Sequence, residues 1–180
     1  WQATPEFPCP IDETMACLTQ LKQQGKIRAI GASNLSDAQF HEYVKTGELD
    51  LIQEKFSMLD RAVADRLLGV CDQHGVTFQA YSPLERGILT GKITSPEQVT
   101  MGLARSSLTW FKPENLPKIA DLSAKWAPLC AKYACSMTQL VIGWTAAQGN
   151  GHNVSVLCGA RKAHQIEDNA KVGDVVLDAA

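Results

Sequence analysis

The sequence predicts an α/β fold with parallel strands. Apolar, β-rich runs alternate with stretches of helical periodicity along the 180 residues. The repeated hairpin signals of an all-β fold are absent, and glycines fall where the helical patterns stop. A doubly wound sheet and a barrel both satisfy this pattern. No Gly-x-Gly-x-x-Gly turn follows the first strand, so a Rossmann dinucleotide site has no support.

Taken in order, "IDETMACLTQLKQQ" places Ile11, Met15, Leu18 and Leu21 at steps of three and four, which predicts an amphipathic helix over 11–24 stopped by Gly25. "KIRAIGAS" reads as a short buried strand, and "LSDAQFHEYVKTG" as a helix capped by Ser36 or Asp37 and closed by Gly47. The cycle repeats with the strand "LDLIQEKFS", the helix "AVADRLLGVCDQHG" ending at Gly75, and the strand "VTFQAYSP". Residues 93–112 are irregular. Helices follow over about 114–134 and 137–148, then a fourth strand, "NVSVLCGA", and a helix opening in "KAHQIEDNAKV".

A net charge of −2 and a pI near 6.1 offer no basic field to nucleic acid or anionic membrane, so neither is an expected partner. No apolar run approaches the roughly 20 residues of a membrane span, and "WQATPEFPCP" has no basic-then-apolar leader, so a cytoplasmic setting is expected. The six cysteines (9, 17, 71, 130, 135 and 158) contain no CxxC pair and read as buried, reduced thiols. His41, His74, His152 and His164 lack ligand spacing and read as surface or loop residues, so no metal site is expected.

In a (β/α)8 barrel, functional residues gather where strands end and βα loops begin. Ser33 and Asn34 end the first strand, Gln53 lies in the second, Tyr81 and Ser82 end the third, and Gly159 to Arg161 end the fourth. At these residues the chain resembles an aldo-keto reductase. "GKIRAIGASNLS", "LDLIQEKFSMLDR", "AYSPLERGILTGK" and "VLCGARKAHQIEDNA" are similar to the family's segments at strands five, six, seven and eight, in that order. "GELDLIQ", "SPLERGILTG" and "WAPLCAKYACS" add a closer likeness to bacterial members that use NADH.

The resemblance implies a (β/α)8 TIM barrel of which residues 1–180 are strands five to eight with their helices, the C-terminal half of a single domain. It implies a cofactor, NADH or NADPH, and a cradle for it. Tyr81 stacks on one face of the nicotinamide, where an aromatic of the barrel wall is the alternative. Ser33, Asn34 and Gln53 grip its carboxamide, although Ser-Asn before a helix is also an ordinary capping signal. Ser82, Pro83, Leu84, Glu85 and Arg86 wrap the pyrophosphate, with Gly87 allowing close backbone approach and Lys92 adding charge, where a plain βα loop is the alternative. Arg105 reaches the cofactor across the long loop, which acts as a lid or is disordered without cofactor.

Gly159, Arg161, Gln165, Asp168 and Asn169 correspond to the adenosine site. Gln165 and Asn169, four apart on one helical face, read the adenine edge, against the alternative of a solvated polar face. NADPH-preferring members carry a lysine near the position of Gly159 and an arginine near that of Gln165. Both are absent here, which favours NADH, with Arg161 and Lys162 as nearby cations.

The family's catalytic aspartate, tyrosine, lysine and histidine would all lie upstream of Trp1, so no catalytic residue is assigned and the chain alone is expected to be inactive. A barrel takes about 250 residues, and half of one exposes strand edges that call for the remainder of the barrel as a partner. The expected activity of the complete protein is NAD(P)H-dependent reduction of small aldehydes or ketones. A noncatalytic cofactor-binding or regulatory subunit on the same fold is the alternative.

Overall fold

The structure, a computed structural model, describes residues 9–99, 105, 108–149 and 153–178. They group into two compact units. The first takes the chain up to Phe56, then Asp60–Tyr81 and Gln148–Leu157; the second takes Ser57–Leu59, Ser82–Ala147 and the chain from Cys158.

The first unit holds the sheet. Strands β1 (Gly31–Ser33), β2 (Leu51–Lys55), β3 (Thr77–Tyr81) and β4 (Val154–Leu157) lie side by side in the order β1-β2-β3-β4, and every pair is parallel. Helix α1 (Ile11–Gln23) precedes the sheet, while α2 (Asp37–Lys45) and α3 (Ala62–Gln73) are the crossovers that parallel neighbours require. Because strand side chains alternate, Ala32, Ile52, Phe78 and Ala80 share one buried apolar face. Burying such a side chain is worth about 1.5–3 kcal/mol for the larger residues, which is what holds the sheet against its helices.

Two expectations need correction at their edges. The first strand is shorter than "KIRAIGAS", because the Asp50 carboxylate takes the Ile30 N–H at 2.7 Å and the regular ladder begins only at Gly31. That carboxylate also holds the Lys22 ammonium at 2.8 Å. The cysteines are free but not uniformly buried: Cys71 is buried, Cys130, Cys135 and Cys158 are half-buried, and Cys9 and Cys17 are exposed. Cys17 lies two residues past the buried Met15, which turns it to the solvent side of α1.

Helix α2 begins as its sequence foretells. Ser36 is the N-cap, its hydroxyl accepting the Gln39 N–H while the Gln39 amide accepts the Ser36 N–H at 2.9 Å. His41, His74 and His164 are exposed, as expected; His152 lies outside the described residues. No helix among the described residues is long and apolar enough to cross a membrane.

The second unit is helical. It contains α4 (Leu116–Lys132), α5 (Met137–Ala147) and α6 (Ala163–Ala170), with 3-10 turns at Glu85–Thr90, Pro96–Gln98, Thr109–Phe111 and Lys171–Asp174. Its core is Ile88, Leu89, Ile93, Phe111, Leu116, Ile119 and Val141, so the loop after β3 supplies three of its members. Part of the long irregular segment falls outside the described residues.

Candidate functional site

In the first unit the sheet carries a polar row opposite its apolar face. Ser33, Gln53, Gln79 and Ser155 are register partners across all four strands. The Gln53 Nε2 donates to Gln79 Oε1 at 2.7 Å, and Gln79 Nε2 donates to Ser155 Oγ at 3.4 Å. The Ser33 hydroxyl donates to the Gln53 carbonyl at 2.8 Å. Tyr81, two residues beyond Gln79 on the same face, donates its hydroxyl to Asn34 Oδ1 at 2.7 Å.

Thus Ser33, Asn34, Gln53 and Tyr81, singled out from the sequence, are brought together by strand ends and side-chain bonds. Neither Ser33 nor Asn34 caps α2, since Ser36 does that. Asn34 instead sits at φ 57, a left-handed conformation that asparagine tolerates better than most residues. Sequence reasoning overlooked Gln79 and Ser155. Their signal was a glutamine inside the apolar run "VTFQAYSP", at even spacing from Tyr81.

Beneath this row lies a carboxylate that sequence reasoning also passed over. Glu54 points to the buried face, only 4% exposed, and its Oε1 accepts the Leu35 N–H at 2.7 Å. Burial pushes its carboxyl above the usual range, opposed by the N–H groups of Leu35 and Asn34. The buried Cys71 thiol of α3 is pushed up to about 12, by burial first and by Glu54 second.

In the second unit the stretch after β3 is strained. Ser82, Glu85 and Arg86 adopt φ of 59, 44 and 55°, and Gly87 reaches 94°. Left-handed conformations of this kind cost roughly 1–3 kcal/mol each for non-glycine residues and cluster at functional sites. Internal bonds hold the turn: Glu85 N–H donates to the Ser82 carbonyl at 3.0 Å, Gly87 N–H to the Leu84 carbonyl at 2.8 Å, and the Thr90 hydroxyl to the Gly87 carbonyl at 2.7 Å.

The residues expected around a pyrophosphate divide sharply here. Pro83 is buried, Leu84 packs against the core, and Glu85 is 0% exposed with its carboxylate accepting the Ser57 hydroxyl at 2.7 Å. The Glu85 side chain is thereby committed to the interior. Arg86 and Lys92 are exposed, and Arg105 donates to the Arg86 carbonyl at 3.1 Å while its guanidinium lies 5.4 Å from the Phe111 ring centroid. A side chain at Gly87 would point toward that guanidinium, its Cβ 3.7 Å from Nη2.

The residues matched to adenosine lie just past β4 and on α6. Gly159, Arg161 and Lys162 are exposed. Gln165 folds its amide back, Oε1 accepting the Arg161 and Lys162 N–H groups at 2.7 and 3.2 Å. Asp168 accepts from Gln139 Nε2 at 2.7 Å and from the Ser136 hydroxyl at 3.2 Å, which ties it to the start of α5. Asn169 is buried, and its Nδ2 has no hydrogen-bond partner among the described residues. Hence Gln165 and Asn169 share a face of α6, while Asp168 already serves another helix.

These placements can be set beside known proteins. The chain is 43% identical over 180 residues to the NADH-specific methylglyoxal reductase of Escherichia coli, covering all of this chain and 54% of the relative. It is 27% identical to an NADP(+) aldo-keto reductase of Schizosaccharomyces pombe, covering 89% of this chain and 47% of the relative. A solved glycerol dehydrogenase from Gluconobacter oxydans superposes with a TM-score of 0.84 at 30% identity, covering 95% of this chain and 51% of that one. The chain spans about half the length of the curated relatives it matches. The aldo/keto reductase family pattern matches residues 2–180, nearly the whole sequence, and the chain belongs to that family.

Proposed function

We propose that this chain is the cofactor-binding half of a (β/α)8 barrel, its strands five to eight, in a reductase that uses NADH or NADPH to reduce a small aldehyde or ketone. The observation that carries the reading is the bonded set at the strand ends of the first unit. Ser33, Asn34, Gln53 and Tyr81 offer one aromatic ring and several amide and hydroxyl groups, the chemistry a nicotinamide carboxamide and ring require.

The bound cofactor supplies hydride, and the residues here decide where its ring sits. Tyr81 covers one face of the ring and directs transfer to the other. Gln53, anchored by Gln79, and Asn34, anchored by Tyr81, turn defined ends of their amides toward the carboxamide. In the second unit the turn at Ser82–Gly87 offers backbone N–H groups to the pyrophosphate, with Arg86, Lys92 and Arg105 as cations. The buried Asn169 Nδ2 and the amide of Gln165 belong to the adenosine end.

No arginine stands at Gln165 and no lysine at Gly159, so a 2′-phosphate would rely on the exposed Arg161 and Lys162. Exposed pairs contribute only about 0.2–1 kcal/mol, less than a tenfold step in affinity. NADH is therefore the expected cofactor, or at least an equal one, in keeping with the NADH-specific relative.

The test is methylglyoxal-dependent oxidation of NADH and NADPH by the complete protein, beside the 180-residue chain alone. Activity in the former and none in the latter supports the proposal. Robust turnover by the chain alone would overturn the assignment of catalysis to residues beyond it, and cofactor binding without turnover by the complete protein would favour a noncatalytic subunit.

A further inference from the structure

Glu54 is the one residue of β2 whose charge is turned to the apolar face, in register with Ala80 and two residues along from Ile52 and its partner Phe78. A carboxylate in that place needs donors. It finds one in the turn between β1 and α2, where Leu35 N–H donates to Oε1 at 2.7 Å, next to Asn34, whose own N–H donates to the Gln53 carbonyl at 3.2 Å. Leu35 is itself buried, so water is no substitute partner.

This turn sets Asn34 at φ 57 and delivers its Oδ1 to the Tyr81 hydroxyl. We propose that Glu54 is a positioning residue, whose buried carboxylate fixes the β1–α2 turn and, through Asn34, the place of Tyr81 and of the nicotinamide ring beside it. A carboxylate suits the task because both oxygens only accept, whereas a glutamine can turn an N–H2 toward the Leu35 N–H. The inference rests on the reading of Asn34 and Tyr81 as nicotinamide contacts, and it adds a residue that touches no ligand.

The experiment compares wild type, Glu54→Gln, Asn34→Ala and the double variant in the complete protein, with fold checked by circular dichroism. Amide hydrogen exchange at Asn34 and Leu35 is read first, because it needs no cofactor. Glu54→Gln is expected to speed exchange at Leu35 by about tenfold or more, since that amide loses its buried acceptor, and at Asn34 by a smaller factor as the turn around it opens. For NADH-dependent reduction of methylglyoxal, Glu54→Gln should lower kcat by roughly tenfold, below the hundredfold that a 1 Å misplacement can cost. KM for the carbonyl should stay nearly constant. In the Asn34→Ala background the kcat loss should largely vanish, since Glu54 acts through Asn34.

Unchanged exchange at Asn34 and Leu35 would overturn the positioning role outright. Faster exchange with a kcat loss that simply adds to that of Asn34→Ala would overturn the route through Asn34 and leave a purely structural carboxylate. A wild-type protein that binds neither NADH nor NADPH would sink the functional reading instead, and the exchange data would still decide whether Glu54 holds the turn. Should Glu54→Gln fail to fold, Glu54→Asp, which keeps two acceptors on a shorter arm, carries the same measurements.

Discussion

Glu54 and Glu85 are both carboxylates sealed from solvent, yet they do opposite things to the backbone around them. Glu54 sits in regular strand and exports its constraint, holding a neighbouring turn by the Leu35 N–H. Glu85 is itself left-handed, at φ 44, and its carboxylate receives the Ser57 hydroxyl, so it pins its own strained turn to the core of the second unit. The first arrangement makes a rigid row of polar groups on a sheet. The second stores strain in a loop, the kind of element that exchanges conformations when a ligand arrives.

If that contrast is sound, the largest loss should come from the rigid row. Tyr81→Ala in the complete protein should lower turnover on the order of a hundredfold with little change in stability, because a ring displaced by about 1 Å places the hydride donor poorly. Steady-state kinetics beside a thermal melt decide it. Normal turnover in a folded variant would reduce Tyr81 to a wall of the sheet.

The strained turn should instead register first in stability. Ser57→Ala removes a donor to a fully buried carboxylate and is expected to cost about 1.5–3 kcal/mol in urea unfolding, the range for losing a hydrogen bond to a charged group. A change below about 0.5 kcal/mol, the level of an ordinary surface substitution, would show that the Glu85 anchor does not hold this loop.

Periodicity and punctuation made the elements legible in the sequence. Helix α2 shows this best, because Ser36, Gln39 and the final Gly47 spell out both of its ends. The polar groups of the strand ends were legible too, since residue type and strand position specify them together. Glu54 was not, because "IQEKF" looks the same whether the glutamate meets water or a neighbouring turn, and only the sheet's alternation against α3 and the β1–α2 turn decides. The inward turn of Glu85 is hidden from the sequence for a related reason. Three consecutive residues at positive φ turn its side chain inward, and nothing local in "SPLERG" announces a left-handed glutamate.

Cofactor choice is a finer probe of the second unit. Gln165→Arg should move preference toward NADPH by up to about tenfold in kcat/KM, by placing a guanidinium where a 2′-phosphate can be gripped. It should also cost about 0.5–1 kcal/mol of stability, since Gln165 currently accepts the Arg161 and Lys162 N–H groups at the start of α6. A strong wild-type preference for NADPH would transfer the phosphate-binding role to Arg161 and Lys162.

The smallest effect discriminates best between strain that serves a ligand and strain that serves only a helix end. Ala134 is left-handed, at φ 49, in the turn that closes α4, where Cys135 N–H donates to the Cys130 carbonyl at 3.0 Å. It is exposed and distant in sequence from every site residue, so glycine there should only relieve strain. Relief of roughly 1–2 kcal/mol is offset in part by the roughly 0.4–1 kcal/mol that glycine adds to the entropy of the unfolded chain, leaving a gain of about 0.5 kcal/mol. Arg86→Gly, at φ 55, should relieve a comparable amount, yet it removes a cation and loosens the turn proposed to meet the pyrophosphate. Both variants should therefore melt slightly higher, by about 1–2 °C, while only Arg86→Gly weakens NADH binding by fluorescence titration. Equal affinity in the two variants would mean that the left-handed run after β3 serves the fold alone, and the contrast between the rigid row and the strained loop would lose its functional half.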